Sequence, residues 1–210
     1  MADEIDDAEF YRWYGAWETV RPEEVAGLLA GFGGPWWVCG GWAIEAFTGV
    51  PRPHEDIDVS IFRRDAERLR LATADRYTAW SAFLGALRPF SDAVPEVHPD
   101  ASQLWLRPDS SSPWHLDVLL NPDLDGRWVN RRRPEHTAPL EEITWVRADG
   151  VRFLNPEVAL LFKAKLRRAK DERDLEVTLP LLGEDRRAWL LDAITATEGQ
   201  DHPWIPTLSS

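Results

Sequence analysis

Polar and apolar residues alternate without a break from Asp56 to Ile61, within the stretch His54–Phe62. Asp56, Asp58 and Ser60 fall on one side, and Ile57, Val59 and Ile61 on the other. A period of two is the mark of a half-buried strand. Upstream, the short apolar run Trp36–Cys39 predicts a buried strand. Gly40-Gly41 follows, then a helical stretch near 42–47 closed by Gly49 and Pro51. Alternation returns in WHLDVLLN, where Trp114, Leu116, Val118 and Leu120 share one face and His115, Asp117, Leu119 and Asn121 the other.

The remaining pattern is coarser. Residues 1–21 are acidic and aromatic and suggest a short helix carrying Trp13 and Trp17. Pro22-Glu23-Glu24 opens a helix to about Ala30, with proline at its first position and acids in its first turn. Residues 65–87 are expected to be helical and 88–102 a proline-containing loop. Residues 103–107 and 113–121 predict a hairpin, and 143–153 a second one turning at Asp149-Gly150. Asn155-Pro156-Glu157 is a strong helix start. Helix is then expected to about Thr197, with a break near Pro180–Gly183. The elements predict an α+β fold: an α/β domain over residues 1–154 and a helical domain over 155–210.

Composition narrows the class. Hydrophobic residues make up 44% of 210, the share of a folded domain rather than of a disordered tail or a fibre. No apolar run reaches the ~18–20 residues of a membrane span. The acidic start lacks the features of a signal peptide, and the single cysteine, Cys39, predicts a small packing residue rather than a disulfide. These features predict a cytoplasmic protein with no membrane partner. The net charge of −12 argues against a general nucleic-acid role, which needs a basic surface. The 12 tryptophans are read first as packing residues.

Candidate chemistry centres on the acids. Carboxylates at i and i+2 of a strand project to the same side and repel unless a cation lies between them. Mg²⁺, which prefers oxygen ligands, suits Asp56 and Asp58. An isolated Asp-x-Asp more often faces solvent. Here a Gly-Gly turn precedes it, and a strand-to-helix turn without side chains lets a polyanion approach backbone N–H groups. Asp117 is a lone carboxylate in an otherwise apolar strand.

These residues carry a resemblance. Gly40-Gly41-Trp42-Ala43, followed by Arg52, His54, Asp56 and Asp58, resembles the nucleotidyltransferase superfamily. More narrowly it resembles the branch of aminoglycoside (2''-adenylyltransferase-like) and lincosamide nucleotidyltransferases. The later stretch NPEVALLFKAKLRRAKDERDLEVTLPLL is similar to a C-terminal helix of such proteins. The resemblance implies a mixed sheet flanked by helices, with a small helical region after it. It implies Asp56, Asp58 and Asp117 as the catalytic and metal-binding acids, with Asp117 either a ligand or the base for an acceptor hydroxyl. It implies Gly40, Gly41, Trp42, Arg52, His54 and Lys165 as the nucleotide-binding residues. Lys165 projects from the apolar stripe of the helix that starts at Pro156, where it must either snorkel out or meet an anion, whereas Lys163 points to solvent.

The function expected is Mg²⁺-dependent transfer of a nucleoside monophosphate, AMP from ATP, to a hydroxyl of a small acceptor, with release of pyrophosphate. The acid surplus favours a cationic acceptor such as an aminoglycoside. Two alternatives stay open: a toxin-type nucleotidyltransferase acting on protein or tRNA, and a non-catalytic nucleotide-binding module. The sequence leaves monomer and homodimer equally open.

Overall fold

The computed structural model describes residues 7–209; the acidic start of the chain lies outside them. The fold is α+β, with two compact units. One comprises the chain up to Pro35 together with Glu55–Leu120; the other comprises Trp36–His54 and the chain from Asn121 on.

In the first unit the strands lie side by side in the order Asp58–Phe62, Leu116–Asn121, Gln103–Arg107, Thr78–Phe83 and Ala86–Phe90. The alternation seen in the sequence sets which side is buried. Ile57, Val59 and Ile61 are fully buried, as are Leu104, Leu106, Leu116 and Val118. The expected hairpin is present: Gln103–Arg107 pairs antiparallel with Leu116–Asn121, placing Trp105 opposite Asp117 and Gln103 opposite Leu119.

The helix expected over 65–87 is corrected. Only Ala66–Thr73 is α-helical, and Thr78–Phe83 and Ala86–Phe90 form an antiparallel hairpin. The turn is Leu84-Gly85, with φ of 47° and 74°. Two consecutive positive φ values match the twist of flanking strands, which is why short hairpins use them. Proline at 89 is tolerated because its strand ends the row.

The N-terminal helix spans Asp7–Tyr14, so Trp17 lies beyond it. The chain after it is stapled to the sheet. Trp114 N–H donates to Ala16 O at 2.9 Å, and Glu18 N–H donates to Trp114 O at 2.8 Å. Trp17, Trp105 and Trp114 pack edge-on or tilted, 5.2–6.3 Å between centroids. Part of the tryptophan excess therefore ties this segment down.

In the second unit Trp36–Val38 runs parallel to Arg152–Leu154, which pairs antiparallel with Thr144–Val146. The predicted hairpin over 143–153 is this pair. Pro156 opens the helix Pro156–Ala164, which packs on Gly40–Thr48, Ala169–Thr178 and Glu184–Glu198. The helical C-terminal stretch breaks near Pro180–Gly183 as expected, and also at Arg167, where φ is 48°. No helix among the described residues is long and apolar enough to cross a membrane.

Candidate active site

Three carboxylates meet in the first unit. Asp58 opens the strand Asp58–Phe62, and Asp56 lies two residues earlier, just before the strand rather than in it as predicted. Asp117 is the second residue of Leu116–Asn121. Its backbone N–H donates to Ile57 O at 3.2 Å. That bond sets Asp117 beside Ile57, the residue between the two other acids. One carboxylate oxygen from each of Asp56, Asp58 and Asp117 lies within 4.8 Å of the other two. Asp117 is buried and the other two are half-buried.

Such a gathering is costly. Two ionised carboxylates at that separation repel by on the order of 3 kcal/mol at an effective dielectric near 20. Three oxygen donors converging on one point fit a hard divalent cation of the Mg²⁺ type. The donor set holds no nitrogen or sulfur to favour zinc or a softer metal. One neighbour was not foreseen. Gln103 Nε2 donates to Asp117 Oδ2 at 2.7 Å and orients that carboxylate. Its strand was predicted, but the register that brings Gln103 to Asp117 is a tertiary fact.

The second unit holds the Gly-Gly turn. Cys39 caps the helix Gly40–Thr48 and is buried, the packing role expected of it. Gly40 has φ of +61°, a conformation that L side chains rarely adopt. Gly41 is required for another reason: a Cβ there would stand 1.7 Å from Arg52 Nη2. The guanidinium of Arg52 fills the space that a side chain at 41 would occupy. Arg52 Nε donates to Asp174 Oδ1 at 3.1 Å, and Nη1 donates to Pro53 O at 2.8 Å. Trp42 stacks on His54 at 3.8 Å between centroids and 12° between planes. His54 Nε2 lies 2.8 Å from Glu45 Oε2. Burial depresses the His54 pKa, and the Glu45 hydrogen bond only partly offsets it. The His54–Glu45 contact is therefore a hydrogen bond of neutral imidazole near neutral pH.

The two lysines exchange the places expected of them. Lys163 is buried, with Nζ 2.8 Å from Asp174 Oδ2 and 3.4 Å from Asp171 Oδ1. Lys165 follows the end of the helix and is exposed, as is Leu166. The helix Pro156–Ala164 is apolar on nearly every side and buried nearly all round. The helix therefore has no single apolar stripe, and Lys163 turns to the acids of the next helix rather than to solvent as expected. Asp171 is completely buried and also receives Arg168 Nε at 2.9 Å. Burial would raise its pKa, but the Arg168 hydrogen bonds and the Lys163 charge outweigh this and hold it low.

Residues 23–80 match the family model described as aminoglycoside-2''-adenylyltransferase. The matched stretch includes Gly40, Gly41, Trp42, Arg52, His54, Asp56 and Asp58. No curated protein matches the chain. Among solved structures, the crystal structure of ANT(2")-Ia in complex with adenylyl-2"-tobramycin is similar at a TM-score of 0.55 and 14% identity, covering 83% of this chain and 97% of that one. The solution structure of the antibiotic-resistance factor ANT(2'')-Ia is similar at 0.51 and 18%, covering 82% and 88%. The lincomycin-bound lincosamide adenylyltransferase LnuA aligns at 0.48 and 18%, covering 83% and 97%.

Fold, motif and acid cluster together resemble those of the nucleotidyltransferases. Among these, the similarity at residues 23–80 is to the aminoglycoside-2''-adenylyltransferase model.

Proposed function

We propose that the protein transfers AMP from ATP to a hydroxyl group of a small acceptor and releases pyrophosphate. The observation that carries this is the convergence of Asp56, Asp58 and Asp117. These acids would hold Mg²⁺, which when bound offsets the charge of the phosphates. The acceptor oxygen forms the new bond to the α-phosphorus, and the bond from that phosphorus to the bridging oxygen of pyrophosphate breaks. The acceptor proton passes to Asp117, whose carboxylate is buried and held by Gln103. On the strength of the motif, the proposal assigns the nucleotide to Gly40, Gly41, Trp42, Arg52, His54 and Lys165. Most of the rate gain comes from positioning and charge stabilisation.

The test is pyrophosphate release from ATP with Mg²⁺ and a panel of hydroxylated acceptors, among them tobramycin. Release that depends on acceptor and metal, and that Asp58→Asn abolishes, is the expected result. Full turnover by Asp58→Asn would sink the assignment. Nucleotide binding without release under any acceptor would instead support a non-catalytic module.

A further inference from the structure

Beside the acid cluster, within the same unit, lies an open pocket of about 420 Å³. Its walls are the N-terminal helix, through Phe10 and Tyr14, and the Thr78–Phe83/Ala86–Phe90 hairpin, including Leu87. Trp105 and Gln103 line it from the adjoining strand. The two walls are tied together, because Tyr14 OH donates to Gly85 O at 2.8 Å. The aromatic side is built: Phe10 and Tyr14 lie 6.1 and 5.9 Å from Trp105 between centroids. The volume falls in the range of small-molecule sites.

Two observations join this pocket to the chemistry. Gln103, which lines it, donates to Asp117 Oδ2 at 2.7 Å. Trp105, which also lines it, stands directly opposite Asp117 in the antiparallel pair, and opposite residues present their side chains on one face. A molecule resting on Trp105 and Gln103 is therefore one side chain away from the carboxylate assigned to receive the acceptor proton. A third observation concerns charge. Among the described residues that line the pocket, Asp100 is the only acid, and none is cationic. A polycation of several amines would meet one carboxylate in this lining, which offers its other ammonium groups no ion-pair partner.

We infer that this pocket is the acceptor site. It takes a hydroxylated molecule with an apolar ring face and at most one amine, not a polycation. The ring rests on Phe10, Tyr14, Leu87 and Trp105, a single amine is served by Asp100, and a hydroxyl points along Gln103 to Asp117. The word acceptor rests on the transfer reaction proposed above. Occupancy of the pocket does not, so the two ideas are tested apart.

Binding is measured on the full chain by saturation-transfer NMR and calorimetry, without ATP or Mg²⁺. The probes are 4-nitrophenyl β-D-glucoside (neutral, hydroxylated, one aromatic ring) and tobramycin. The wild type should bind the aryl glucoside more tightly than tobramycin, with saturation strongest on the aromatic protons. Leu87→Asp should weaken the aryl glucoside at least tenfold and strengthen tobramycin. Phe10→Ala, on the covering helix, should weaken the glucoside about fivefold should Leu87→Asp fail to fold. Tighter binding of tobramycin by the wild type, or glucoside binding that neither variant weakens, overturns the proposal. If the variants instead weaken a non-hydrolysable ATP analogue with Mg²⁺, the pocket belongs to the nucleobase and the proposal is also overturned. Glucoside binding with the predicted sensitivity, but no pyrophosphate release with any acceptor, leaves the ligand class standing and removes the transfer reaction.

Discussion

The two compact units each hold a cluster of charge, and the clusters follow opposite rules. Asp56, Asp58 and Asp117 gather like charges within 4.8 Å. Arg52, Asp174, Lys163, Asp171 and Arg168 alternate in sign, each acid within 3.4 Å of a cation. The alternating cluster completes itself and holds helices and the Gly-Gly turn in place. The like-charged cluster sets repelling carboxylates side by side, and the divalent cation proposed above would offset that repulsion. Clustered repulsion is thus a better pointer to function than charge as such.

The largest effect should come from neutralising the like-charged cluster. Asp56→Asn, Asp58→Asn and Asp117→Asn should each lower pyrophosphate release by about 10³-fold or more, the scale of several kcal/mol of charge stabilisation. The same variants should keep or raise Tm without metal, because repulsion is relieved. Relief of one kcal/mol corresponds to roughly 2–4 °C for a chain of this size. Mg²⁺ should raise Tm of the wild type and not of the variants. Loss of Tm in all three variants would show that the acids are structural, and the contrast between the clusters would collapse.

The opposite outcome is expected in the alternating cluster. Asp174→Ala leaves Lys163 and Arg52 without their shared carboxylate, which is only 2% exposed. Breaking a buried pair from one side costs about 3–5 kcal/mol, to be read from urea unfolding. Replacing Lys163 and Asp174 together by methionine and leucine should cost less than the single change, because the buried ammonium leaves with its carboxylate, Asp171 keeps Arg168 and the Arg52 side chain is 21% exposed to water.

How much of this was legible in the chain follows from the same physics. Asp56, Asp58 and Asp117 stood out because a period of two places side chains without knowledge of the fold. Gly40-Gly41 stood out because glycine pairs mark backbone constraint. The hairpin over residues 78–90 was hidden, since Leu84-Gly85 is a poor turn signature and the Ala- and Leu-rich sequence around it suits a helix. The exchange of Lys163 and Lys165 was hidden for a different reason. A helix buried nearly all round has no polar face from which to read direction, and Asp171 and Asp174 look like surface acids until their partners are known. Gln103 and the aromatic pocket depend on strand register and on where the N-terminal helix docks, neither of which a single sequence encodes locally.

A smaller change tests the geometry of the turn. Gly41→Ala places a Cβ where Arg52 Nη2 now lies, so the guanidinium must leave. The expected cost is about 1–3 kcal/mol, the scale of overpacking. With Arg52→Ala already in place, Gly41→Ala should be nearly neutral. The coupling in this double-mutant cycle measures the interaction directly. Additive costs would mean that Gly41 is required for its backbone and not for the space it leaves to Arg52.

The smallest effect is the dependence on pH, and its sign is fixed by His54. Burial holds the folded pKa of His54 below the ordinary value of 6.5. Above that value the imidazole is neutral in both the folded and the unfolded chain, and it contributes no pH dependence. As pH falls through 6.5 the unfolded chain takes up the proton first, so stability drops, and the drop ends once pH passes below the folded pKa. His136 is shifted in the same direction by burial and adds to the loss. Tm should therefore fall as pH drops below about 6.5. His54→Gln keeps an amide donor for Glu45 but cannot titrate, so it should lose less Tm over that range than the wild type. An equal loss in both proteins would assign the pH dependence to His136 and other groups. It would also show that His54 contributes to the turn only by stacking on Trp42 and by its contact with Glu45.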